Sequence, residues 1–216
     1  MKVLVLAANG QIAKIVEQRI LTEEKFKDVS LTLVLRNSQR LAELADNSRV
    51  TLVEGDISDP ELVNKVMNNQ DLVYVAVVDH GANNDITKTV ISAMDKNNVK
   101  RVISTSLLGL YNEVPGEFGR WNLEMVKSGL PAAINADKLL AESGLDYTTL
   151  RLPWLNDRDE VKYTVTTKDE PYVGVSGSRH SIADVVLKII ADPKYGVKDS
   201  LGIADPDTQG LDRPVY

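Results

Sequence analysis

The sequence predicts an α/β protein built on a doubly wound parallel sheet, and three observations carry that expectation. Short β-branched runs alternate with longer segments of helical period, the runs are almost unbroken Val, Ile and Leu, and turn or cap residues fall between them. Strands of a parallel sheet are covered by helices on both faces, so continuous apolar character marks them better than alternation does.

Taken in order, "KVLVLA" (2–7) reads as a strand and 11–21 as a helix. Next come "LTLVL" (31–35) with a helix over 38–45, "VTLVE" (50–54) with one over 60–67, "LVYVAV" (72–77) with one over 83–97, and "RVIST" (101–105). Asp59 is placed to cap the helix that Pro60 begins, and Gly144 ends another helix before the strand in "LDYTTL". After residue 152 the pattern changes. "KYTVTTKDEPYVGVS" (162–176) predicts two short strands and "SIADVVLKIIADP" (181–193) an amphipathic helix capped by Ser181. The charged run "DRDE" (157–160) reads as solvated loop. One domain over 1–216 is expected, with its core over 1–152 and a small C-terminal lobe over 153–216.

With 216 residues, 43% hydrophobic and 26% charged, the chain can bury a substantial core. A net charge of -6 opposes binding to a phosphate backbone, so no nucleic-acid partner is expected. The absence of cysteine excludes disulfides, thiolate metal sites and cysteine nucleophiles, and it fits a cytoplasmic protein. The only histidines, His80 and His180, have no ligand-like spacing, so no metal is expected. No apolar run approaches the ~20 residues that span a bilayer, and no membrane association is expected.

Ligands of an open parallel sheet bind beyond the carboxyl ends of its strands. The first such position, "AANGQIA" (7–13), has the spacing of a three-glycine phosphate turn with alanine at both outer places. Gly10 falls at the helix start, where a side chain would collide with a phosphate approaching the backbone amides. Ala13 adds one methyl where helix meets strand, while Ala7 costs roughly 1–2 kcal/mol if the turn needs positive φ there. Arg36 ends the second strand, where an NAD-selective protein would carry an acid for the ribose 2′-hydroxyl. A guanidinium suits a 2′-phosphate instead, with Ser38 and Arg40 within reach, which favours NADP(H) over NAD(H). A solvated turn would use the same residues. Asp56 and Ile57, after the third strand, could bond an adenine edge and cover its face, or serve only to start the next helix.

In that order, "AANGQIA", "LRNSQRL", "EGDISDPELV", "VKRVISTSLLGLY", "LAESGLDYTTLRLPWL" and "GSRHSIADVV" resemble the atypical short-chain dehydrogenases/reductases, particularly NmrA-like and biliverdin/flavin reductase-like members, over nearly the whole chain. The resemblance implies a Rossmann-type sheet with a nucleotide-binding core (1–152) and a substrate-side C-terminal portion (153–216). It implies that Asn9, Gly10, Gln11 and Ile12 hold the pyrophosphate, Arg36, Ser38 and Arg40 the 2′-phosphate, Asp56 and Ile57 the adenine, and Ala76 and Val77 its ribose. It further implies Ser104, Thr105 and Ser106 beside the nicotinamide ribose, Pro153, Trp154 and Leu155 over the nicotinamide, and Arg179 near the substrate or in a structural pair. Members are often monomers or weak homodimers.

One departure bears on chemistry. The wider family's Tyr-x-x-x-Lys, in which lysine binds ribose and lowers the tyrosine pKa from about 10, here reads Ile134-x-x-x-Lys138. Lys138 is a candidate ribose ligand, or an ordinary i,i+4 partner of Glu142. Ser106 and Tyr111 complete the catalytic candidates, Tyr111 as an alternative phenol. The missing tyrosine disfavours carbonyl reduction and epimerisation. It leaves hydride transfer from NADPH to a small conjugated acceptor such as a quinone or flavin, with solvent supplying the proton, or a non-catalytic NADP(H) sensor that signals to a regulatory protein partner.

Overall fold

The computed structural model describes residues 1–216. In chain order its elements are β1 (Lys2–Leu6), α1 (Gln11–Thr22), β2 (Ser30–Leu35), β3 (Val50–Glu54), α2 (Pro60–Met67), β4 (Leu72–Val75), α3 (Asp85–Lys96) and β5 (Arg101–Ser106). There follow α4 (Gly116–Val126), α5 (Leu130–Glu142), β6 (Asp146–Arg151), β7 (Trp154–Asn156), β8 (Thr164–Thr166), β9 (Ser176–Ser178), α6 (Arg179–Ala191) and β10 (Asp199–Ala204). The main sheet runs β3-β2-β1-β4-β5-β6-β10-β8, parallel except where β8 meets β10, and β7 pairs with β9 apart from it.

Continuous apolar strands serve both faces. Val3 and Val5 join a core with α1 and α6, while Leu4 and Leu6 join a second core with α2 and α3. The helix starts follow local chemistry: Asp59 accepts from the Glu61 and Leu62 amides with Pro60 behind it, and Gly144 takes φ +75° past the end of α5.

The structure departs from expectation in several places, and α4, β7 and β10 are not among the elements anticipated. Residues 38–44 form 3₁₀ turns broken at Leu41, which leaves helical geometry (φ −129°) as its side chain enters the core. The second C-terminal strand falls at 176–178, later than "PYVGV". The cap of α6 is Ser178, whose hydroxyl accepts from the Ser181 amide at 3.0 Å, while the Ser181 hydroxyl bonds to the Lys162 backbone. That helix is buried on most sides because it packs along α1, joined by Arg19 to Asp184 at 2.9 Å. Residues 153–216 are thus divided: α6 and β10 complete the core, and β7 and β9 lie beyond the end of β6.

Two buried arginines fasten opposite ends of β5 and β6. Arg101 donates to the carbonyls of Asp146, Pro193 and Tyr195, and burial pulls its guanidinium down to about 10. Arg151, fully buried, pairs with Glu113 at 2.9 Å and donates to the carbonyls of Thr166, Thr167 and Ser200. Burial alone would raise the Glu113 carboxyl, but Arg151 and the loop amides hold it below its ordinary value.

Glu17 is the contrary case. It is 1% exposed on α1, neither carboxylate oxygen is hydrogen-bonded, and burial pushes its pKa up to about 8, with Lys14 opposing and Glu43 reinforcing. Between about pH 4.5 and 8 the unfolded chain loses this proton and the folded chain keeps it, so stability falls by about 1.4 kcal/mol per pH unit and then levels off. Glu17→Met should remove that slope: denaturant unfolding of the two proteins should diverge from pH 5 to pH 8, with the variant the more stable at pH 8.

Candidate cofactor site

The crossovers reverse direction at β1 and β4: α1 leaves β1 toward one face, α3 leaves β4 toward the other, and the chain parts between them. A cleft of about 510 Å³ opens there, lined by residues that follow four neighbouring strands and by Ile86 of α3. Asn9, Gly10, Arg36, Arg40, Asp56, Ile57, Ala76 and Val77 all line it.

The turn after β1 holds Ala7 at φ +66°, and the Gly10 amide donates to the Ala7 carbonyl at 3.1 Å. Gly10 itself is in ordinary extended geometry (φ −65°, ψ 149°). A Cβ on it would meet the Ala7 and Ala76 carbonyl oxygens at 3.5 and 3.6 Å, which is normal contact. Neither backbone nor packing therefore demands glycine at 10; the space matters to what enters the cleft. No side chain caps α1, so its first amides keep their donors for an anion, and Asn9 Oδ1 is buried with no hydrogen bond. Gln11 and Ile12 contribute backbone to this N-terminus; the Gln11 side chain is exposed and Ile12 packs on the core.

Charge distinguishes the far end. Eight of the chain's ten arginines are held by carboxylates or backbone carbonyls, and Arg36 and Arg40 are the other two. Both are exposed and face the cleft without an ion pair. Ser38 is engaged elsewhere: its amide and hydroxyl both go to Glu54, at 2.8 and 2.7 Å, and it does not line the cleft. Asn37 lines it instead. Asp56 accepts from the Ser58 amide and hydroxyl, which lower its pKa, with a smaller contribution from Arg36.

The ends of β5 and β6 lie outside this cleft. Ser104 and Ser106 alternate with Thr105, whose hydroxyl is buried without a hydrogen bond. Pro153 seats against Gly177 and Leu155 against the main core. Lys138 is also placed apart from the cleft. The inward stripe of α5 is Ala133, Ala136, Asp137 and Leu140, so Ile134 and Lys138 share an outward stripe, and the Lys138 side chain is 67% exposed beside Glu142 at 3.8 Å. Tyr111 donates its hydroxyl to Asp137 and lies under the Arg151 guanidinium; burial and the Asp137 bond push its pKa well above the phenol's ordinary value, so it keeps its proton. Arg179 takes the structural alternative, paired with Asp157 at 2.7 Å.

The NAD(P)H-binding family matches residues 7–193. The chain belongs to the NAD(P)H-binding family. A short-chain dehydrogenase/reductase from Veillonella parvula, solved in complex with NADP, is 28% identical over 100% of this chain and 99% of its own, with a TM-score of 0.91. A Rossmann-fold NAD(P)-binding family protein from Shigella flexneri is 29% identical over 100% and 98%, with a TM-score of 0.77. An anaerobillin reductase from Escherichia coli O157:H7, 19% identical over 98% and 100% with a TM-score of 0.77, shares the fold. No curated protein matches by sequence. The resemblance to short-chain dehydrogenases/reductases and the doubly wound fold are thereby borne out.

In this NAD(P)H-binding chain, sequence reasoning missed Leu35, Asn37, Gly55 and Ile86 as cleft residues. Gly55 carried a signal: a Cβ there would come within 2.3 Å of Leu62, so glycine keeps α2 close behind the strand end. If Gly10 is kept for the ligand and Ala7 is strained, their variants should separate. Gly10→Ala should change unfolding free energy by less than about 1 kcal/mol yet weaken NADP(H) binding at least about tenfold, whereas Ala7→Gly should add about 1 kcal/mol of stability. Denaturant melts and fluorescence titration read both.

Proposed function

We propose that this protein is an NADP(H)-dependent oxidoreductase that passes hydride from NADPH to a small conjugated acceptor, quinone- or flavin-like. The observation that carries the preference for NADPH is the pair of unengaged guanidinia, Arg36 and Arg40, at the end of the cleft that follows β2. Planar forks of this kind match a 2′-phosphate, whereas a 2′-hydroxyl carries no charge for them to pair with. The NADP held by the Veillonella parvula protein supports the same reading.

In this scheme the α1 amides and Asn9 hold the pyrophosphate, Ile57, Val77 and Ile86 wall the adenosine end, and the arginines fix the 2′-phosphate. The bound cofactor supplies a hydride. Tyr111, kept protonated by Asp137, and the outward-facing Lys138 are poorly placed for a tyrosine–lysine proton relay, which favours acceptors whose reduced form is stabilised by conjugation.

Thermal titration should give a larger shift with NADPH than with NADH. Arg36→Glu should abolish the difference, a loss of at least about tenfold in NADPH affinity; equal shifts in the native protein would refute the phosphate assignment. With quinones, flavins and simple carbonyls as acceptors, the protein should speed loss of NADPH absorbance for the conjugated ones. Tight binding with no turnover across that panel would favour the sensor instead.

A further inference from the structure

The inward stripe of α5 continues one turn back from Ala133 to Gly129, which precedes the helix. Gly129 and Ala133 carry no group that could move a proton. A Cβ on Gly129 would come within 2.9 Å of His80 Nδ1 and 3.4 Å of Leu107 Cδ1. The imidazole therefore fills the space a side chain at 129 would need, between the start of α5 and the first residue after β5. It stands on the segment that leaves β4, three positions beyond Val77 of the cofactor cleft.

That segment is fixed on both sides of the ring. Asp79, buried, accepts from the Gly81 amide at 3.1 Å and from the Thr87 amide and hydroxyl at 2.9 and 2.8 Å. Asn84, also buried and at φ +51°, donates to the Ala132 carbonyl at 2.9 Å and accepts from Asn135 at 2.6 Å. These bonds tie the loop to α3 and α5 while His80 stays exposed and free of hydrogen bonds and ion pairs. The other histidine, His180, faces Asp159 at 3.7 Å. A backbone held by these bonds presents one unengaged imidazole beyond the ends of β4 and β5, and an imidazole can hold a proton and give it up to a bound acceptor.

We infer that His80 is the proton donor of the reduction, an inference that rests on the reading of this protein as an NADPH-dependent reductase. Hydride carries two electrons from NADPH to one end of the acceptor's conjugated system, and NADP⁺ remains. The displaced π electrons collect on the acceptor's oxygen or nitrogen, where the imidazolium N–H bond breaks and delivers its proton. Solvent, which reaches the exposed ring, restores it. The acceptors this fits are conjugated compounds with a carbonyl or imine at the far end of the π system, which need one proton delivered at a heteroatom.

His180→Gln leaves a single histidine, so the His80 Cε1–H signal can be followed by NMR as NADPH or NADP⁺ is added. The signal should move and saturate together with the thermal shift. His80→Gln and His80→Asn should bind NADPH within about twofold of the native protein, lose about 100-fold or more in kcat with the acceptor the native protein reduces, and regain part of it when imidazole is added. Cofactor binding that leaves the His80 signal in place, or variants that turn over like the native protein, would overturn the assignment and leave the reductase intact. Absence of any NADPH binding would overturn the reductase reading itself, and this inference with it.

Discussion

Parallel pairing dominates this structure. A parallel strand cannot return through a tight turn, so each connection between parallel strands crosses a face of the sheet, and all of the main sheet's strands but the antiparallel β8 deliver their carboxyl ends to one edge. Because β1 lies between β2 and β4, the helices that follow β1 and β4 go to opposite faces, and the chain cannot close over the gap between them. The cleft is the geometric remainder of that winding, and Gly10, Arg36, Asp56 and Ala76 sit in it because each is among the first residues after its strand.

The same constraint explains what could be read in advance. Strands buried on both faces have to be apolar throughout, and residues just past a strand end are placed by chain connectivity alone, so the sheet and most of the cleft were legible. What depended on partners distant in sequence was not. Ser38 looks free beside Arg36 until Glu54, sixteen residues on, takes both its donors. Lys138 looks like a ribose ligand until the packing of α5 sets its helical phase and turns it outward. β10 follows a helix and two positive-φ turns, Gly196 and Lys198, and its place beside β6 is fixed by the buried Arg151, whose guanidinium bonds the Ser200 carbonyl.

Conformational and electrostatic costs gather around α1. Ala7 sits in left-handed backbone immediately before it, and Glu17 buries an unpaired carboxyl within it. At β5 and β6 buried charge is better met: Arg101 donates to several carbonyls, and Arg151 has the Glu113 carboxylate beside Nη1 and three carbonyls on Nη2, its Nε staying without a hydrogen bond. The strand-end loop carrying Tyr111 inherits that order, since Glu113 binds Arg151 and also accepts from the Gly109 and Tyr111 amides.

The two unengaged guanidinia also affect the approach of a ligand. A molecule of net charge -6 repels a polyanion at a distance, yet Arg36 and Arg40 reverse the sign of the field locally at the mouth of the cleft. At physiological salt such a field extends only about 8 Å, so an anionic cofactor is drawn in only over the last few ångströms of its path. Capture is then a matter of local steering set by ionic strength. Dilute buffer lengthens both the repulsion of the whole and the attraction of the patch, and the balance between them governs how fast the cleft fills.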